Sequence, residues 1–118
     1  MSNSVLRNSA KEFAKKIVFV CRDMKADRKE AVLVNQLLRS ATSIGANIHE
    51  ANYAHGKSDF IAKLQIALKE CYETEYWLKL FVKSEILDMA ASVELYNQCG
   101  TIRRILIASI NTAKENSK

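Results

Sequence analysis

Hydrophobic residues recur along this chain at steps of three and four, the spacing of one face of an α-helix. Leu6, Ala10, Phe13, Ile17, Val20, Cys21 and Met24 form a first such stripe and predict a helix from about Ser4 to Met24. The polar stretch KADRKE interrupts it, and Asp27 followed by Glu30 has the spacing of a capping box for the next helix. Leu33, Val34, Leu37, Ala41, Ile44, Ile48 and Ala51 continue the pattern over about Glu30 to Ala51. The aperiodic stretch YAHGK (53–57) reads as a loop, with Ser58 the expected N-cap of a third helix and Asp59 favourable near its positive end. Phe60, Ile61, Leu64, Leu68, Cys71, Leu78 and Val82 predict that helix over about Asp59 to Ser84. SEILD then gives a tight connection, and Asp88 caps a fourth helix reaching about Lys114, with Leu95, Cys99, Ile102, Leu106, Ile110 and Ala113 inward. Four helices of similar length with short connections predict an all-α, antiparallel up-down-up-down four-helix bundle, one domain over residues 1–118.

Two helices carry a second face. Gln36, Ser40, Ser43, Asn47 and Glu50 project together about a quarter turn from the apolar stripe of the second helix, with Arg39 beside them. Solvated helix faces are usually built from long Lys and Glu side chains, and Ser and Asn are weaker helix formers. Small residues at this spacing let another helix approach closely, and the larger polar groups must then be hydrogen-bonded. On the third helix Ile66, Tyr76, Trp77 and Leu80 project away from the core stripe, with Glu73 among them. A helix apolar on two sides needs two partners, so these residues are the expected subunit interface of a homo-oligomer. Arg39 is the natural ion-pair partner of Glu73, within or between subunits. Glu75 projects onto the core stripe and either reaches solvent or meets a polar group of another helix.

Composition agrees with a helical, folded chain. Hydrophobic residues make up 48%, there is no proline, and glycine occurs three times. No apolar run is long enough to span a membrane, and the first residues lack the apolar segment of a secretory signal. Cys21, Cys71 and Cys99 are odd in number and far apart. They suit buried free thiols in a reducing compartment, so the expected location is cytoplasmic.

The net charge is +5. Arg7, Lys11, Lys15, Arg22, Lys25 and Lys29 lie along one edge of the first helix and its following turn, with Val18 filling the gap, and Arg103 and Arg104 of the fourth helix are candidates to add to them. Such a row can neutralise a nucleic-acid backbone and release counterions; the plainer alternative is a solvated helix face. Nothing points to catalysis. His49 and His55 sit in HEANYAH, six residues apart, about 240° around a helix, where the HExxH zinc motif needs four. No glycine-rich phosphate loop and no di-iron E-x-x-H pattern occurs, so neither enzyme activity nor a metal or cofactor is expected.

QLLRSATSIGANIHEA (36–51) followed by SDFIAKLQIALKECYETEYWL (58–78) resembles the signature of bacterial four-helix-bundle proteins encoded by intervening sequences in large-subunit ribosomal RNA genes. The resemblance is carried by Gln36, Leu37, Arg39, Ala41, Ser43, Ile44, Asn47, Ile48 and Glu50, and then by Phe60, Ala67, Leu68, Glu73 and Leu78. Gly45 stands where that family usually has proline, and Ala51 where it usually has glycine. The family is similar to the accessory proteins of diversity-generating retroelements. That likeness implies a ring-like homopentamer with basic surfaces that binds RNA or DNA. Its alternative is a structural adaptor docking a protein partner such as a reverse transcriptase or a ribosomal component.

Overall fold

The computed structural model describes residues 3–26 and 30–116. Its elements are α1 (Asn3–Ala26), α2 (Ala31–Ala51), α3 (Lys57–Lys83) and α4 (Met89–Glu115). Their pairings run antiparallel throughout. The Cys21 thiol of α1 points at the Val34 carbonyl of α2, while Gly45 lies against Ala10. Glu50 and Arg39 of α2 reach Lys63 and Glu73 of α3. Glu75 of α3 meets Arg103 of α4, and the Ser92 hydroxyl donates to the Leu78 carbonyl at 3.0 Å. Lys16 and Glu94 join α1 to α4 at 3.4 Å and close the bundle. The result is an up-down-up-down four-helix bundle with extents of 50 × 21 × 19 Å.

The helix ends have local causes. Asp88 Oδ1 accepts the Ala91 amide at 2.8 Å, the expected cap of α4. α3 begins one residue before the expected Ser58 cap. Gly56 holds the extended N-cap position, and the Asp59 carboxylate reaches back to the His55 amide at 3.3 Å. At α2, Glu30 itself occupies the N-cap position and makes no side-chain capping bond; Asp27 lies outside the described residues. α3 ends in a Schellman-type closure. Glu85 takes a left-handed conformation (φ 61°), and the Ile86 amide reaches back to the Phe81 carbonyl at 2.8 Å. That turn folds Ile86 and Leu87 onto the core, so part of the SEILD connection is buried.

The stripes of α1, α2 and α4 pack as their spacing predicts, with Val20 and Leu33 half-buried at the margins. α3 is rotated from its predicted register. Its buried residues are Leu64, Ala67, Cys71, Thr74, Glu75, Leu78 and Phe81, whereas Phe60, Ile61, Leu68 and Val82 are half-buried. α3 packs against α2 on one flank and α4 on the other, so its buried sector is broad and takes in two polar side chains. α2 passes through Gly45 without interruption. All three cysteines are free and buried, and burial pushes the Cys21 thiol up to about 11.

Candidate nucleic-acid interface

The polar face of α2 is turned toward α3. Ser40 is fully buried; its hydroxyl donates to the Leu37 carbonyl at 3.2 Å and accepts from the Thr74 hydroxyl at 3.0 Å. Arg39 Nη1 pairs with Glu70 Oε2 at 3.2 Å, and Nη2 with Glu73 Oε2. Glu73 also accepts the Trp77 indole N–H at 2.9 Å. This bond, then Arg39, holds the Glu73 carboxyl below its ordinary range. Glu50 pairs with Lys63 at 3.0 Å. Asn47 donates to the Ser43 carbonyl of its own helix at 2.8 Å; Ser43 and Gln36 are half-buried. The larger polar side chains are thus satisfied mainly across the α2–α3 seam or by their own backbone, not by one another. Glu70, Lys63 and Thr74 are partners that no spacing rule on α2 could name.

The outer face of α3 is only partly open. Trp77 and Leu80 are half-buried and pack against the core. Ile66 and Tyr76 are the exposed members of the predicted interface set, at 44% and 58%.

Lys16, Arg39, Lys63 and Arg103 each hold a carboxylate. Arg103 Nε donates to Glu75 Oε2 at 2.9 Å, which answers the question of how Glu75 is satisfied. It also places Arg103 on the α3 side of α4, so Arg103 does not extend the row on α1. The row itself is different. Lys11, Lys15, Arg22 and Lys25 are exposed, Arg7 is half-buried, and among the described residues none of the five has a carboxylate partner. Arg22 lies over the Phe19 ring at 5.5 Å, and Lys29 falls outside the described residues. Arg104 is exposed and donates to the Thr101 hydroxyl at 3.2 Å.

An open groove of about 780 Å³ runs between the α2–α3 connection and the end of α4, and among the described residues Lys57 is its one ionisable lining residue. His49 lies 5.4 Å from Tyr53, ring to ring, and His55 is in the α2–α3 connection. Among the described residues no cluster of three or more His, Cys, Asp or Glu side chains could hold a metal, and no helix is long and apolar enough to cross a membrane.

The chain is similar to a protein of unknown function from the S23 ribosomal protein family of Bacteroides thetaiotaomicron VPI-5482, seen in a crystal structure. The two are 42% identical over 94% of this chain and 99% of that one, with a TM-score of 0.91. No curated protein matches. The family model described as 23S rRNA-intervening sequence protein matches residues 2–108, and with these two helices and their shared motif in place the chain belongs to that family.

Proposed function

We propose that this chain is a non-enzymatic, homo-oligomeric helical-bundle protein that binds nucleic acid through the basic edge of α1. One observation carries the reading. Arg7, Lys11, Lys15, Arg22 and Lys25 share an edge without a carboxylate partner among the described residues, while Lys16, Arg39, Lys63 and Arg103 are paired. Unpaired cations in a row can neutralise a phosphate backbone, and releasing condensed counterions supplies the binding free energy. Their contacts are to phosphate, so they read charge and shape more than sequence. The family's association with 23S rRNA genes makes RNA the first polymer to test.

Assembly would repeat the row and raise its effective strength, because several weak sites then engage one polymer. Ile66 and Tyr76 are the exposed apolar side chains available for it on the outer face of α3, and the resemblance to ring-forming proteins favours a pentamer. Light scattering tests this part. Ile66→Lys with Tyr76→Glu should lower the assembly mass. Both residues are exposed, so the change leaves the core untouched, whereas Trp77 and Leu80 contribute to the fold itself. A monomeric wild type at micromolar concentration would contradict the assembly. Fluorescence anisotropy with RNA at several salt concentrations tests the binding; no binding at low salt would favour the adaptor reading.

A further inference from the structure

On α4, two guanidinium groups converge on Gly100. A Cβ placed on Gly100 would sit 3.3 Å from Arg104 Nη1 and 3.4 Å from Arg103 Nη2. Both nitrogens therefore lie within reach of the oxygens of a single phosphate. Glu75 compensates one of the two charges through Arg103 Nε, which leaves the Nη groups of Arg103 turned over the glycine. Arg104 has no carboxylate partner among the described residues. Its chain neighbours and the helix backbone aside, these two nitrogens are the atoms within 4 Å of that Cβ position.

Aromatic rings flank the pair. Arg103 Cζ is 5.9 Å from the centroid of the Tyr72 ring, and Tyr72 is 51% exposed. Further along the same α3–α4 seam, Lys79 Nζ lies 5.1 Å from the centroid of the half-buried Tyr96 ring. Cations alternating with rings differ in kind from the α1 row, where one ring, Phe19, meets a cation. Rings bind nucleobases by stacking, and only unpaired bases have a face to offer.

We propose that this seam is a second nucleic-acid site, specific for single strands: Arg103 and Arg104 hold a backbone phosphate over Gly100, and an adjacent base stacks on Tyr72. The inference rests on the nucleic-acid reading above, and it adds a strand preference that the α1 row cannot supply. A duplex can satisfy the row but presents no free base to Tyr72.

The test is fluorescence anisotropy with a labelled oligouridylate and with an RNA duplex of equal charge. Four proteins are compared: wild type, Tyr72→Leu, Arg104→Gln, and the triple change Lys11→Gln, Lys15→Gln, Arg22→Gln. Tyr72→Leu and Arg104→Gln should each weaken oligouridylate binding by roughly tenfold and leave duplex binding close to wild type. The triple change should weaken both. Tyr72 and Arg104 are exposed, so unchanged thermal melts are expected and exclude a folding defect. If both single variants bind oligouridylate like wild type while the triple variant weakens, the seam proposal is overturned and the α1 reading stands. If Tyr72→Leu weakens strand and duplex equally, base stacking is overturned. If wild type binds neither probe at low salt, both readings fall.

Discussion

The Thr74 hydroxyl donates to Ser40 Oγ at 3.0 Å, and both side chains are fully buried between α2 and α3. Ser40 passes the chain on to the Leu37 carbonyl. Ser40→Ala therefore leaves the Thr74 hydroxyl without this acceptor in a dry seam, at a cost of about 1–2 kcal/mol. Thr74→Val removes the donor instead and keeps the shape. The double variant should be less destabilised than the sum of the singles, because no orphaned hydroxyl remains. Denaturant melts of the four proteins check this; strict additivity would mean the two hydroxyls are not coupled.

Glu73 sits beside this pair, and its carboxyl is held below the ordinary range first by the Trp77 indole and then by Arg39. A lowered folded value means that the carboxylate adds stability above the ordinary carboxylate pKa. That contribution is lost as pH falls through the lowered folded value. Trp77→Phe deletes the indole donor, so Glu73 should titrate at higher pH, contribute less stability at neutral pH and leave less to be lost in acid. An NMR titration of the Glu73 side chain reads this directly. An unchanged midpoint in Trp77→Phe would contradict the assignment of cause.

Two backbone positions should accept stabilising changes. Gly45 lies inside α2, and an added Cβ would make an ordinary 3.7 Å contact with Ala10 Cβ, so Gly45→Ala should gain up to about 1 kcal/mol from helix propensity. Glu85 holds a left-handed conformation at the end of α3, where glycine is favoured. Glu85→Gly should raise the melting temperature by relieving that conformation. A lower melting temperature for Gly45→Ala would show that α1 and α2 cannot accommodate the extra methyl.

The apolar stripes of α1, α2 and α4 were legible because each has a polar face opposite. α3 was only partly legible: Glu75 was read onto the core stripe, but Thr74 is buried beside it, and a polar residue there adds nothing to an apolar pattern. Leu68 and Val82 therefore looked more interior than Ala67 and Phe81, which the packing buries more deeply. The Arg39–Glu73 pair could be read from charge and spacing. The Ser40–Thr74 bond could not, because two hydroxyls on different helices leave no periodic trace. Trp77 projects away from the core stripe yet is half-buried, packed against the core with its ring near Phe81 and its indole bonded to Glu73. The convergence of Arg103 and Arg104 on Gly100 depends on side-chain direction, which spacing does not give.

The central claim is that the unpaired cations of α1 bind a phosphate backbone, and the salt dependence of RNA affinity measures it most directly. The slope of log affinity against log salt should be steep for wild type, about −0.7 to −0.9 per neutralised phosphate. The triple change of Lys11, Lys15 and Arg22 to glutamine should make that slope shallower by about 2 to 3 per protomer engaged, with the thermal melt unchanged. A triple variant with wild-type affinity and slope, or a wild type that binds no RNA at low salt, would contradict the account.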